Sequence, residues 1–449
     1  MDNIILFLYK WLWFAVLIAS MGGAIYIFSK LLYKSYKGNV NELSYAGKFY
    51  DKNDKCFKLT LTQNELYDIL ILIGIFVIFR IFTFVFSFVV KVIFEPGYSF
   101  EFSLDHLLYQ FTKWDAHHYI SIADHWYVSE DVYNLSPELF ADKEYVLIAF
   151  YPLYPIIVKL FSFICPSITL SAYIVSNIFF VLSIAAMYKL IKIDYSQKTA
   201  LTASLMLIFS PFGFFFSFAF TESLFLFLTV MFFIMLRKEK FVYAGLFGFL
   251  SALTKNFGLL LIIPYGVWVI ELACQKHYNF YHILKKIVPG ALILAGFGVY
   301  LCINKSVSGE WFKFMTYQNE HWNQRISCPW ENVVNHMKWF LGEHNVMANK
   351  WFIWFGDVSA VCCAMGIYWA GRKKIPFVYS IYSLAYIFLT LTVSWLLSGP
   401  RYLLVNFPTY IALGKLSEEK TWIKVAIISV EIILSIICTV GYMTNSNIM

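Results

Sequence analysis

The feature that most limits this chain is the recurrence, from one end to the other, of apolar runs close to the roughly 20 residues a helix needs to cross a bilayer. With 60% hydrophobic and 14% charged residues over 449 positions, it carries more apolar side chain than one globular core can hide from water. Only helices and closed barrels satisfy their backbone in lipid, so the expected product is an all-α polytopic membrane protein. The net charge of +7 does not point to nucleic acid, because the lysines sit in short clusters between apolar runs, the pattern that orients membrane segments. The eight cysteines lie in or beside apolar segments without metal-ligand spacing, and Cys362 and Cys363 are neighbours whose side chains diverge on a helix. Neither disulfides nor zinc is expected.

Taking the basic clusters as cytoplasmic gives about twelve passes with both termini outside. Residues 4–28 read as a retained anchor rather than a signal peptide, since the run is long and Asp2 precedes it. With the lysine-rich linker that follows, they form a first unit, 1–65; the membrane domain is 66–449. A span at 66–94 leads to a large external loop near 95–146, where ten acids stand against Lys113 and Lys143. Pro152, Pro155 and Pro166 interrupt 147–165, which reads as a broken or re-entrant helix. Passes at 168–188, 199–218, 221–236, 241–254, 258–273 and 287–304 lead to a second external loop, 305–350, rich in Trp, Asn, Gln and His. Spans at 352–370, 375–397, 401–415 and 422–443 follow.

Chemistry gathers in the first loop, at Trp114-Asp115-Ala116-His117-His118-Tyr119. At 100° per residue, Asp115, His118, Tyr119 and Ile122 share one helical stripe, and His117 and Asp124 face away. A desolvated carboxylate such as Asp115 suits general-base work. Glu222, in Thr221-Glu222-Ser223, reads either as a second catalytic acid or as a helix N-terminal acid with Thr221 near the cap. The Pro-Gly-aromatic run before it, from Pro211, suggests a loop closing over a sugar or lipid. Lys255 and Arg401 lie on the outer side against the positive-inside trend, which suggests a bound anion: Arg401 offers phosphate a two-pronged fork, Lys255 a point charge. No Asp-x-Asp pair, P-loop, GxGxxG or Cys/His cluster occurs. Neither a metal nor a cofactor is expected.

Six strings then resemble one family in the same order. They are Trp114-Asp115-Ala116-x-His118-Tyr119, Ala149-Phe150-Tyr151-Pro152-Leu153-Tyr154-Pro155, Ser210-Pro211 to Thr221-Glu222-Ser223, Leu253-Thr254-Lys255-Asn256-Phe257-Gly258, Gln318 with Trp322 and Pro329-Trp330, and Ser398-Gly399-Pro400-Arg401-Tyr402 with Phe407-Pro408. Together they look like the PIG-V family, GPI mannosyltransferase 2 and its prokaryotic relatives, over residues 66–415. Lys255 stands where relatives often carry Arg.

The resemblance implies a GT-C type membrane glycosyltransferase that takes a hexose, usually mannose, from a polyprenyl- or dolichyl-phosphate carrier with inversion. Its catalytic acid maps onto Asp115. The expected arrangement has Arg401 and Lys255 on the donor phosphate, and Trp114, His118, Tyr119, Gln318, Trp322 and Tyr402 against substrate. The acceptor is a glycan, glycolipid or protein on the non-cytoplasmic face, in a bacterial cell membrane by residue usage or the endoplasmic reticulum if the owner is eukaryotic. The competing class is a transporter or flippase for a lipid-linked saccharide, which polar groups inside a helical bundle also fit.

Overall fold

The computed structural model describes residues 61–94, 103–127, 147–276, 278–342 and 350–444. The expected anchor at 4–28, its linker up to residue 60, most of the acidic stretch within 95–146 and the tail after 444 lie outside these residues. Among the described residues regular structure is helical, with a single antiparallel bridge between Ile326 and Val393.

Helix α1 (Gln63–Phe94) opens with a reciprocal cap. Thr62 Oγ1 accepts from the Glu65 N–H at 3.3 Å and Glu65 Oε2 from the Thr62 N–H at 3.0 Å, filling donors a helix start leaves open. Its Ile78, Ile81, Phe82 and Val85 point outward, as side chains do that face lipid. Helices α2 (Leu104–Phe111) and α3 (Asp115–His125) follow. The stripe expected on α3 is present: Tyr119 and Ile122 are buried, whereas His117 and Asp124 are exposed. Helix α4 (Leu153–Ser162) is the proline-broken segment. Its ten residues reach about 15 Å, half the hydrocarbon thickness, so it does not span.

Helices α5 (Ile168–Asp194) and α6 (Gln197–Phe209) start on the capping hydroxyls of Ser167 and Ser196. The single pass expected over 199–218 is not formed. Pro211 lacks a donor, α6 ends at Phe209, and the chain turns through a 3₁₀ segment, Gly213–Phe216, into α7 (Glu222–Arg237). Helix α8 (Phe241–Thr254) is followed by 3₁₀ residues Asn256–Leu261, α9 (Ile262–Lys276), α10 (Phe280–Ile287) and α11 (Ala291–Ser308). The stretch expected as a second external loop is itself helical, with α12 (Lys313–Trp322) and α13 (Pro329–Leu341). Helices α14 (Gly356–Gly371), α15 (Phe377–Leu391), α16 (Gly399–Leu403), α17 (Phe407–Leu416) and α18 (Thr421–Met443) complete the chain.

Six helical stretches among the described residues are long and apolar enough to cross a membrane: 63–93, 168–194, 256–276, 280–308, 353–371 and 421–443. They do not reach the expected count of about twelve. Helices α6, α7, α8 and α15, expected as passes, have only 13, 16, 14 and 15 residues. Helix α7 is the centre, buried along almost its whole length between α5 and α8. Glycines let α8 and α11 close on each other: a Cβ on Gly248 would stand 2.5 Å from Ile293 Cγ1, and one on Gly296 2.3 Å from the Phe249 carbonyl.

Candidate active site

Four charged side chains from four remote segments form one connected chain. Arg401 donates from Nη1 to Asp115 Oδ2 at 2.6 Å and from Nε to Glu222 Oε1 at 2.7 Å, and Lys255 Nζ donates to the same Glu222 oxygen at 2.8 Å. Glu222 is fully buried and the side chains of Arg401 and Lys255 nearly so; Asp115, 29% exposed, is the open end. Among the described residues, Glu222 Oε2 is a buried acceptor without a partner.

Local structure explains why carboxylates tolerate these places. Asp115 is the first residue of α3 and Glu222 the first of α7. There the unpaired N–H groups of a helix start favour negative charge. Thr221 stands at the N-cap of α7, but its side chain makes no capping bond. Backbone strain collects in the same strings. Of five described non-glycine residues with positive φ, Trp114 (54°), Asn323 (49°) and Ser398 (71°) adjoin Asp115, Trp322 and the Gly399-Pro400-Arg401 turn.

Aromatic rings enclose the charges. The run before Glu222 is not a surface loop: Phe214, Phe215, Phe216, Phe218 and Phe220 are buried, and the Arg401 guanidinium lies 4.5 Å from the Phe220 ring and 5.2 Å from Phe215. Tyr402 carries Lys255 Nζ 4.9 Å from its ring. One helical turn beyond Asp115, His118 stacks on Phe150 at 4.6 Å and meets Trp322 edge-on at 6.5 Å. Burial lowers the His118 pKa to about 4, against the pull of the Asp115 charge, so the ring is neutral at ordinary pH. Tyr119 packs beneath on Phe150 and Tyr154. Trp114 is 38% exposed beside Asp115, and Gln318 sits one turn before Trp322 on α12, half-buried. Sequence reasoning thus named Asp115, Glu222, Lys255, Arg401 and Tyr402, which meet directly, and His118, Tyr119 and Trp322, which form the adjoining aromatic wall.

It missed a second support. Asp357, near the start of α14, accepts from the Gly399 N–H through Oδ1 at 2.7 Å, and its Oδ2 is 3.3 Å from His336 Nε2. The His336 nitrogens also face two carbonyls, Asn332 O at 2.8 Å and Leu396 O at 2.9 Å. Burial opposes charge on this ring, yet Asp357 and the two carbonyls raise its pKa above the ordinary value. A Cβ on Gly399 would stand 2.4 Å from Leu396 Cδ2 and 3.0 Å from Asp357 Oδ1, so this turn needs glycine. The usable signal was a lone acid in an apolar run, which is expensive at membrane depth. Arg80 gave the same signal. Buried mid-α1, it donates to the Ile208 carbonyl at 3.4 Å, where α6 breaks off before Pro211. Among the described residues no group of three or more His, Cys, Asp or Glu could hold a metal ion.

A family model described as Mannosyltransferase (PIG-V) matches residues 69–297, half of the chain. Among curated proteins, none matches. Two solved structures of the Archaeoglobus fulgidus oligosaccharyltransferase align with it at 13% identity. The structure with Zn and sulfate covers 81% of this chain and 53% of its own (TM-score 0.39); the structure tethered by a disulfide bond to an acceptor peptide with the NVT sequon covers 86% and 55% (TM-score 0.42). This chain spans about half the length of either, and at these scores the likeness carries no argument.

Proposed function

Because the chain belongs to the mannosyltransferase (PIG-V) family, and so is a multi-pass membrane glycosyltransferase, we propose that it transfers a hexose, mannose by family, from a polyprenyl-phosphate donor to a glycan, lipid or protein acceptor on the non-cytoplasmic face. The observation that carries this reading is the Asp115–Arg401–Glu222–Lys255 chain, with its carboxylate end open and its cation end buried.

Asp115 takes the proton of the acceptor hydroxyl. The freed oxygen attacks the anomeric carbon from the side opposite the phosphate, the carbon–oxygen bond to phosphate breaks, and its electron pair leaves with the polyprenyl phosphate. Arg401 and Lys255 attend that phosphate, and Glu222 positions both cations, so the donors stand ready before the reaction. Two cations and two carboxylates balance in the resting site. During transfer the proton reaches Asp115 as a second negative charge develops on the leaving phosphate, so the net charge of the low-dielectric site stays constant. Trp114, His118, Tyr119, Gln318, Trp322 and Tyr402 line the sugar path, and lipid-facing aromatics take the polyprenyl tail.

The test is transfer from polyprenyl-phosphate mannose in reconstituted membranes. Asp115→Asn is expected to cut transfer at least about a hundredfold in a folded enzyme; undiminished turnover by that variant removes Asp115 from the reaction.

A further inference from the structure

Beyond Trp322 from the charged chain, helices α12 and α13 and the segment after α15 enclose a cleft of about 390 Å³. This lies within the roughly 300–1,000 Å³ typical of small-molecule sites. Three indoles form its floor: Trp339 and Trp354 have centroids 4.6 Å apart, Trp339 and Trp395 5.7 Å, and Trp354 and Trp395 5.9 Å. Three amides, Asn319, Asn323 and Asn335, stand around them. Among the described residues, the Nε1 of Trp354 is a buried donor with no partner.

The chemistry of this lining selects its ligand. Indole faces pack against the C–H faces of a sugar ring, and amides offer paired donors and acceptors that match neighbouring hydroxyls. Charge is balanced within the wall: Arg325 donates to Glu331 at 2.6 Å, and Ser327 bonds the other Glu331 oxygen. Among the described lining residues a phosphate therefore meets no uncommitted cation. An extended peptide has no strand edge to join here, because Ser327 N–H already donates to the Thr392 carbonyl and Ser394 N–H to the Arg325 carbonyl, both at 2.9 Å. An acyl chain finds too many polar groups.

Position separates the cleft from the donor. Trp395 Nε1 donates to the Trp322 carbonyl at 2.9 Å, and the Trp322 ring meets His118, one turn from Asp115 on α3. Asn319, Asn323 and Arg325 are exposed, so the cleft opens to water, whereas Arg401 and Lys255 are buried. From the indole floor, the amide rim and the bond to Trp322, we infer that this cleft is a subsite for a neutral saccharide unit of the acceptor. The assignment to acceptor rather than donor rests on the transfer reading above.

The experiment uses the full chain in lipid nanodiscs and follows tryptophan fluorescence on titration with mannobiose and maltose, with inorganic phosphate as the charged control. Saturable quenching by at least one disaccharide and none by phosphate is expected, with Kd raised about tenfold or more by Trp339→Leu and by Asn319→Leu. Asn319 is exposed on α12, so its variant is expected to fold even where Trp339→Leu does not; thermal unfolding checks both. No saturable disaccharide signal, a signal indifferent to both variants, or quenching by phosphate overturns the assignment. A transfer assay then separates the two readings. If cleft variants raise the acceptor KM and not the donor KM, the subsite stands. If transfer proceeds with an unchanged acceptor KM, the subsite fails and the transfer reading survives; if disaccharide binds as expected and no transfer occurs, the cleft stands as a saccharide site and both the transfer reading and the acceptor assignment fall.

Discussion

The two ends of α7 carry charges built on opposite plans. At its C-terminus Arg237 pairs with Asp194, whose second oxygen accepts from Tyr379 at 3.3 Å. At its N-terminus, about 22 Å away along the helix, Glu222 holds Arg401 and Lys255 on one oxygen and leaves the other unpartnered, and Arg401 passes the chain on to half-open Asp115. The first arrangement closes on itself, with both Asp194 oxygens engaged. The second keeps, among the described residues, an unfilled acceptor and one accessible carboxylate, the arrangement that the proposed reaction asks for and that the closed pair at similar burial lacks.

That contrast can be broken by exchanging the ends. Asp115→Asn should cut transfer by about 10²- to 10⁴-fold, the usual worth of a general base, and lower the melting temperature less than Glu222→Gln does, because Asp115 is 29% exposed and Glu222 is buried. Asp194→Asn should leave turnover per folded molecule intact and show its effect in stability. If both variants lose turnover equally, the distinction between the ends is wrong.

Glu222→Gln leaves two buried cations short of their counter-charge, so a stability loss of ~3–5 kcal/mol is expected, together with loss of transfer. Adding Lys255→Met should recover much of the stability and none of the transfer, read by thermal unfolding and assay on the same sample. Recovery of both would make Lys255 dispensable and shrink the site to Asp115 and Arg401.

A smaller effect is expected at the support behind Arg401. Asp357→Leu removes the acceptor of the Gly399 N–H, and kcat/KM should fall about tenfold as the turn loosens, the cost of one unsatisfied buried donor. Asp357→Asn keeps the acceptor and should retain most activity. Equal losses in both would show that the bond to His336, rather than to Gly399, matters.

The smallest effect is one of pH. The folded His118 titrates near 4 and the unfolded ring near 6.5, so the unfolded chain binds more protons between those values. Stability should therefore fall as pH drops from about 6.5 towards 4, and His118→Phe should flatten that decline. Melting temperatures at pH 7 and 4.5 in both proteins check it; parallel declines would mean that His118 is protonated in the fold.

Much of this was legible beforehand because it depends on neighbours in sequence. Apolar runs announced a helical membrane protein, the 100° periodicity put Tyr119 and Ile122 on the buried face of α3, and prolines marked 147–165 as a broken or re-entrant helix, whose ten-residue length in α4 only the structure supplied. Pro211 was visible too, but the break in α6 was not expected, because a proline near an apolar run can kink a span or end it. The short inner helices are where the count of passes depends on packing and not on pattern, since a buried helix and a spanning one are equally apolar.

The sequence by itself determined that the apolar segments are helical and belong in lipid, and which residue types carry the chemistry. Only the tertiary structure decided who bonds to whom. Lys255 and Glu222 are 33 positions apart, Arg401 and Glu222 179, and Arg401 and Asp115 286. No local pattern records such partners, because propensity and periodicity act over a few residues, whereas a buried charge is placed by whichever packed segments can bring it an opposite charge away from water. Asp357 and the indole cleft escaped for the same reason: each exists only where remote helices meet.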